Sequence, residues 1–189
     1  RDEYQASFKG ILGKYSKAKD GHKLLMLEYT TIFEYMQLLH MVAERLKCLG
    51  SKVLFYQAAA VSDFYLPWSA LADHKIQSRQ GSLLLELQQV PKVLGVLRNV
   101  WAPEAFHISF KLETDPGLLL QKARSSLEKY QLHMVIANEL LTRKEKVTII
   151  SSNANSDPSV CVVTLDTSTA KYIEEPLVKY ITKEHERFM

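Results

Sequence analysis

The feature that most constrains the fold of this chain is a regular alternation of apolar, strand-like runs with helical segments. Five short apolar runs are predicted strands, at 22–29, 53–57, 83–87, 106–110 and 133–137. Apolar residues at helical spacing predict helices among them, at 31–46, 91–100 and 115–130. Strands joined by helical crossovers lie parallel in one sheet. The sequence therefore predicts an α/β domain with a Rossmann-like, doubly wound and mostly parallel sheet.

The two ends of the chain have a different character. Strands at 146–151 and 160–165, separated by a loop of turn-forming residues, predict a C-terminal hairpin at the sheet edge. A closing helix is expected over about 169–184. Residues 1–22 carry only a thin apolar stripe, so we expect an N-terminal helical remnant before a main domain at 23–189.

Composition excludes several classes of protein. The 189 residues, 47% of them hydrophobic, can form one domain with a substantial core. The net charge of +3 is small and the lysines are scattered, which disfavours nucleic acid and suits a small phosphorylated ligand. No apolar run reaches about 18 residues, so no contact with a membrane is expected. Two cysteines far apart in sequence indicate a reducing, cytoplasmic compartment rather than a disulfide or metal framework.

Common catalytic signatures are missing from the sequence. It contains no G-x-G-x-x-G fingerprint, no Walker A loop, no His-x-x-x-His pair and no G-x-S-x-G elbow. No residue is therefore predicted to bind a metal directly, and a protease or lipase is not indicated.

Polar residues instead follow the ends of the predicted strands. They are Asp63, Lys75, Lys92, Lys111, Glu113, Thr114 and Asn138. Because the carboxyl ends of parallel strands meet at one edge of a sheet, we expect these side chains to cluster and to handle a phosphate-bearing ligand.

Each position also has an ordinary structural interpretation. Asp63 could be a turn residue, although the three alanines at 58–60 would let a ligand approach the backbone. Lys75 by itself could be a solvated loop lysine. Lys92 stands at a helix start, where a cation is unfavourable unless an anion binds there. His107, inside an apolar strand, fits a core position better than a ligand-binding one.

Five motifs in a fixed order carry a family resemblance. They are AAAVSDFY at 58–65, HKIQS at 74–78, VPK at 90–92, ISFKLETD at 108–115 and VIAN at 135–138. Together they resemble the phosphopantothenate–cysteine ligase family in its eukaryotic form, over about residues 23–185.

The resemblance implies a two-step reaction in coenzyme A biosynthesis. The carboxylate of 4′-phosphopantothenate attacks the α-phosphorus of ATP (or CTP), giving an acyl-nucleotide and pyrophosphate with the help of Mg²⁺. The amine of L-cysteine then displaces the nucleotide. The resemblance also implies a homodimer and small-molecule substrates. The chemistry depends mainly on positioning and charge neutralisation.

The resemblance implies a role for each matching residue. The backbone at Ala59 and Ala60 together with Asp63 corresponds to the grip on phosphopantothenate. Lys75 corresponds to the catalytic lysine that neutralises the developing phosphate charge. The nucleotide contacts correspond to Val90, Pro91, Lys92, Val93 and Phe110.

Two departures from the family pattern affect the interpretation. Ser126 and Tyr130 stand where bacterial relatives carry lysines, which fits the ATP-using eukaryotic branch. No glycine-rich Thr-Ser-Gly-Gly-Thr turn or Asn-Phe-Ser-Ser-Gly motif is present and the first residue is Arg1, so we expect an N-terminally truncated ligase with little activity alone. The alternatives are a non-catalytic paralogue or regulatory subunit that retains a half-site, and a flavoprotein-like nucleotide-binding regulator.

Overall fold

The computed structural model describes residues 2–72, 74, 76, 81–152 and 160–189. The chain divides into two compact units, Arg1–Leu38 and Leu39–Met189. Within the described residues, no helix is long and apolar enough to cross a lipid bilayer.

The first unit is mainly helical. It contains helix α1 (Asp2–Asp20) and the beginning of helix α2 (Ile32–Leu46), which continues into the second unit. Helix α2 begins with a capping box formed by Thr31 and Glu34. The Glu34 amide donates to the Thr31 hydroxyl at 3.2 Å, and the Glu34 carboxylate accepts from the Thr31 amide at 3.0 Å.

The strand predicted at 22–29 is wrong. His22 lies in a turn, and residues 23–29 form no regular secondary structure and pair with no other strand among the described residues. Their apolar side chains are exposed, Leu25 for example at 79%. An apolar run alone cannot make a strand, because a strand needs a neighbour for its backbone groups.

The second unit contains the other elements. After α2 come β1 (Leu54–Gln57), β2 (Phe64–Tyr65), β3 (Gln88–Gln89), α3 (Val93–Val96), β4 (Phe106–Glu113), α4 (Pro116–Tyr130), β5 (Met134–Glu139), β6 (Lys146–Ser152), β7 (Val160–Asp166) and α5 (Glu174–Phe188). A turn of π-helix, Leu97–Trp101, extends α3. The closing helix, α5, begins at Glu174, five residues later than the sequence predicts.

Five of these strands form one mixed sheet in the order β1-β4-β5-β6-β7. β1 pairs parallel with β4, and β4 pairs parallel with β5. β6 is antiparallel to both β5 and β7, so the other four strands run in one direction. This arrangement confirms the predicted α/β class and the C-terminal hairpin at the sheet edge.

Helices cover both faces of this sheet. On one face Ile108, Met134 and Ile136 pack with the apolar residues of α5. On the other face Val135 and Ala137 pack with Leu119, Ala123 and Leu127 of α4. A third cluster joins α2, β1 and the π-helical turn. The sheet is therefore doubly wound, as the sequence predicts.

The parallel strand predicted at 83–87 is also wrong. These residues form no strand; Gln88–Gln89 (β3) instead pairs antiparallel with Phe64–Tyr65 (β2) in a separate two-stranded ribbon. Leu84 and Leu85 are exposed, at 93% and 53%. The apolar run belongs to an excursion between β2 and β3, and its leucines pack into none of the three core clusters.

Candidate active site at the carboxyl edge of the sheet

The segment after β1 places small residues at the carboxyl end of an edge strand. Ala59, Ala60 and Asp63 follow Gln57 and are all exposed. The Ser62 hydroxyl donates to the Phe64 carbonyl at 2.6 Å and accepts from the Phe64 amide at 3.3 Å. This local turn fixes the path of the chain beside Asp63, so a ligand has access to backbone and carboxylate.

The structure brings Asp63 and Lys92 into contact. The Lys92 ammonium donates to the Asp63 carboxylate, and the Val90 amide donates to the Asp63 carbonyl at 2.9 Å. The hydrogen bond and charge of Lys92 lower the pKa of Asp63, and Lys111 adds a smaller contribution. Val90 is buried whereas Pro91 and Lys92 are exposed and Val93 is half-buried, so this segment is anchored at one end.

A second group of charges lies at the end of β4. Glu113 accepts from Lys111 at 3.1 Å and from Lys122, on α4, at 2.7 Å. The hydrogen bond from Lys122 is the main reason that the pKa of Glu113 lies below its ordinary value, with a further contribution from Lys111. Together with Asp63 and Lys92, these ion pairs join three lysines to two carboxylates, and a further carboxylate, Glu139, lies opposite Glu113 in the strand pairing.

Phe110 is not part of this charged group. Successive side chains of a strand point to opposite faces, so Phe110 lies on the face opposite Lys111. It is half-buried and packs against the core cluster that includes Ile108. Phe110 lies on β4, the strand that also carries Lys111 and Glu113, and its contact with the nucleotide remains a prediction.

The predicted catalytic residue, Lys75, lies outside the described residues. Its neighbours His74 and Ile76 are exposed. Asn138, at the end of β5, is buried; its amide nitrogen donates to the Arg143 carbonyl at 3.4 Å. Thus the structure brings together Asp63, Val90 and Lys92, and provides no position for Lys75.

Sequence reasoning missed Lys122. It lies on α4, which follows the N-cap Asp115: the Asp115 carboxylate accepts from the Gly117 amide at 2.8 Å. The available signal was the position of Lys122 beside the buried stripe Leu119, Ala123 and Leu127. A lysine next to a buried stripe and two turns from the helix start can reach the end of the strand that precedes the helix.

Comparisons with known proteins give a consistent assignment. Residues 31–163 match the family described as DNA/pantothenate metabolism flavoprotein C-terminal domain. Phosphopantothenate–cysteine ligase 2 of Oryza sativa subsp. japonica is 52% identical over 155 residues, which are 82% of this chain and 48% of that protein. Phosphopantothenate–cysteine ligase of Homo sapiens is 40% identical over 182 residues, 96% of this chain and 58% of that protein. The chain thus spans about half the length of the curated relatives it matches.

A solved structure is also similar to this chain. A Cab2 mutant in complex with phosphopantothenate-cysteine matches with a TM-score of 0.87 and 35% identity. The match covers 100% of this chain and 61% of the solved chain.

Proposed function

The chain belongs to the DNA/pantothenate metabolism flavoprotein C-terminal domain family, and from this premise we propose that it is the part of a phosphopantothenate–cysteine ligase that holds 4′-phosphopantothenate and the nucleotide. Its substrates are 4′-phosphopantothenate, L-cysteine and a nucleoside triphosphate, and its reaction belongs to coenzyme A biosynthesis. The catalytic domain corresponds to residues 23–189. The similarity to eukaryotic ligases and to the complexed Cab2 structure supports this assignment.

One observation carries the proposal: the ion pair between Asp63 and Lys92 at the carboxyl edge of the sheet. These residues come from two separate motifs of the family and are 29 positions apart in the chain, yet their side chains are in contact. A carboxylate beside exposed backbone can orient an amide-bearing acid, and an ammonium group can neutralise a phosphate. The geometry therefore supports one site for both substrates.

The proposed chemistry forms and breaks one bond in each step. The carboxylate of 4′-phosphopantothenate attacks the α-phosphorus of ATP, and pyrophosphate leaves. The amine of L-cysteine then attacks the acyl carbon, loses a proton and releases the nucleotide. Ala59, Ala60 and Asp63 hold the acid, and Lys75 neutralises charge at the α-phosphate. The nucleotide is held by Val90, Pro91, Lys92, Val93 and Phe110.

Magnesium enters this proposal through the nucleotide. The described residues contain no group of three or more His, Cys, Asp or Glu side chains that could hold a metal ion. Asp63 and Glu113 are already paired with lysines. Mg²⁺ commonly binds substrate phosphates and retains water ligands, so a protein cage is not required. When bound, it would neutralise phosphate charge.

We also propose a cytoplasmic homodimer. The excursion between β2 and β3 exposes large apolar side chains, including Trp68, Leu83, Leu84 and Leu85, and a second copy could cover them. Cys48 and Cys161 are free thiols, which suits a reducing compartment. Analytical ultracentrifugation should give a dimer that Leu84→Glu weakens, and a monomer at all concentrations would contradict the dimer.

The function can be tested by binding and by turnover. Calorimetric titration of the 189-residue chain should show binding of 4′-phosphopantothenate and weaker binding of pantothenate, which lacks the phosphate. The polypeptide that the gene encodes should release pyrophosphate only when 4′-phosphopantothenate is present, and form the amide only with L-cysteine. Binding without pyrophosphate release would indicate a non-catalytic subunit. Absence of binding and of turnover would refute the proposal.

A further inference from the structure

Glu113 makes two contacts that the proposed reaction does not explain. One carboxylate oxygen accepts from Lys111 at 3.1 Å and the other accepts from Lys122 at 2.7 Å. The Glu113 side chain is 13% exposed, whereas those of Lys111 and Lys122 are 39% and 45% exposed. The carboxylate is thus mostly buried, whereas both lysine side chains are partly open to solvent.

The position of the Glu113 carboxylate is determined by the strand that carries it. Lys111 and Glu113 are two residues apart on β4 and therefore share one face of the sheet. The Glu113 carbonyl accepts from the Leu140 amide at 2.9 Å, so its backbone is held from the next strand along the chain. Lys122 comes from α4, which packs against the same face. Strand and helix together therefore determine where the two ammonium groups lie.

One carboxylate cannot neutralise two ammonium groups. Lys111 and Lys122 share the single carboxylate of Glu113, whereas Lys92 has its own partner in Asp63. A lysine side chain has several rotatable bonds, and ordering it on a ligand costs conformational entropy. A lysine that is already ordered avoids that cost when an anion binds.

We propose that Glu113 is a positioning residue, which orders Lys111 and Lys122 as a clamp (named here the two-lysine clamp) for the polyphosphate chain of the nucleotide. The inference rests on the proposed function because it assigns the clamp to the nucleotide of that reaction. The clamp supplies paired cations from this chain's own residues, Lys111 on β4 and Lys122 on α4, the helix on which Ser126 and Tyr130 carry no charge.

The direction in which polyphosphate affinity changes distinguishes a carboxylate that orders the two lysines from one that only neutralises them. A carboxylate near a polyphosphate repels it, so removing a carboxylate that only neutralises the lysines should strengthen binding. Removing a carboxylate that orders the lysines should weaken binding. Glu113→Gln keeps the shape and removes the charge.

Binding of inorganic tripolyphosphate to the 189-residue chain is the test, measured by calorimetry at low salt. We expect Glu113→Gln to weaken binding by about tenfold, the effect of losing the order of two long side chains. Glu175→Gln is the matched control, because Glu175 also pairs with a lysine, Lys179 at 3.3 Å, on the exposed face of α5. The control should bind as the wild type does.

A double-mutant cycle distinguishes positioning from a general loss of structure. In a Lys111→Ala/Lys122→Ala background, Glu113→Gln should cause no further loss. An equal loss in both backgrounds, or unchanged or tighter binding in the wild-type background, would overturn the inference. If Glu113→Gln does not fold, Lys122→Gln breaks the same contact from the exposed side, and unchanged binding of that variant would also overturn it.

This experiment needs no ligase activity, so the two proposals can fail separately. A chain that shows the expected tripolyphosphate pattern without binding 4′-phosphopantothenate would refute the function and leave the clamp. A chain that binds 4′-phosphopantothenate but binds no tripolyphosphate would overturn the clamp and leave the function.

Discussion

Asp63 is the residue where a single substitution best tests the substrate contact. Its carboxylate holds Lys92 and lies beside the exposed backbone of 58–60. Asp63→Asn should weaken 4′-phosphopantothenate binding by about 10- to 100-fold, the usual effect of losing a hydrogen bond to a charged group. Calorimetry measures it. Asp166→Asn is the control, since Asp166 is also a carboxylate with a lowered pKa, held by Ser168; an equal loss in both variants would contradict the assignment.

Among single residues, Lys75 gives the most specific prediction about catalysis. Lys75→Ala should slow formation of the acyl-nucleotide by ~10²-fold or more, because one preorganised charge donor is removed where charge develops. Single-turnover release of pyrophosphate by the polypeptide that the gene encodes measures this step. Lys179→Ala, a surface lysine on α5, should react at the normal rate. If carboxyl activation proceeds normally in Lys75→Ala, this residue is an ordinary surface lysine.

At the scale of residues, the sequence predicts position along a strand better than it predicts a contact. Asp63 and Lys92 were expected at one edge, and their side chains meet there. Phe110 and Lys111 are adjacent in sequence, and alternation sends them to opposite faces. Lys122 was missed because its contact with Glu113 depends on how α4 packs, which no strand-end pattern contains.

At the scale of elements, the N-cap of α4 makes a measurable contribution to the stability of the fold. The Asp115 carboxylate accepts from the Gly117 amide and satisfies a backbone donor that the helix itself leaves unpaired. Asp115→Ala should lower the free energy of unfolding by about 1 kcal/mol, within a usual range of about 0.5–2. Urea denaturation gives the value. Asp115→Asn keeps an acceptor and should stay close to the wild type; an equal loss there would exclude capping as the cause.

Apolar runs predicted strands correctly where the fold supplies a neighbouring strand, as it does for β1, which pairs with β4 at one edge of the sheet. β4 and β5 lie between other strands, so their runs are buried in the sheet. The runs at 22–29 and 83–87 have similar composition, yet they are exposed and form no strand. Periodicity reports that a segment could be buried, whereas burial depends on partners that lie far away in sequence.

At the scale of the whole molecule, the fold class followed from connection lengths. Helical crossovers join β1 to β4 and β4 to β5, and each pair is parallel. β6 follows β5 without a helix between them, a short connection separates β7 from β6, and both pairs are antiparallel. The connections therefore determine strand direction, and the expected C-terminal hairpin is found for the same reason.

A buried histidine, His107, and a half-buried one, His133, link the stability of the fold to pH. The His133 Nδ1 accepts from the His107 amide at 2.9 Å, so this ring is neutral with its proton on Nε2. Burial is the main reason that the pKa of His133 falls from 6.5 to about 4, with help from the positive charge of Arg98. Burial also lowers the pKa of His107, whose Nε2 bonds to the Ala102 carbonyl at 2.7 Å.

The direction of the pH effect follows from these shifts. In the unfolded chain both histidines take up protons near pH 6.5, whereas the folded protein keeps them neutral to a lower pH. Between pH 6.5 and about 4 the unfolded state therefore binds more protons, and the free energy of unfolding must fall as the pH falls through this window.

Urea titrations at pH 7.5, 6 and 5 should show a steady loss of the free energy of unfolding, before the paired carboxylates lose their charge at still lower pH. His133→Gln, which keeps an acceptor for the His107 amide, should reduce the slope, and His74→Gln, at an exposed position, should leave it unchanged. Equal stability at pH 7.5 and 5 would mean that these rings gain their protons without a cost to the folded state, which the burial of His107 and the low pKa of His133 argue against.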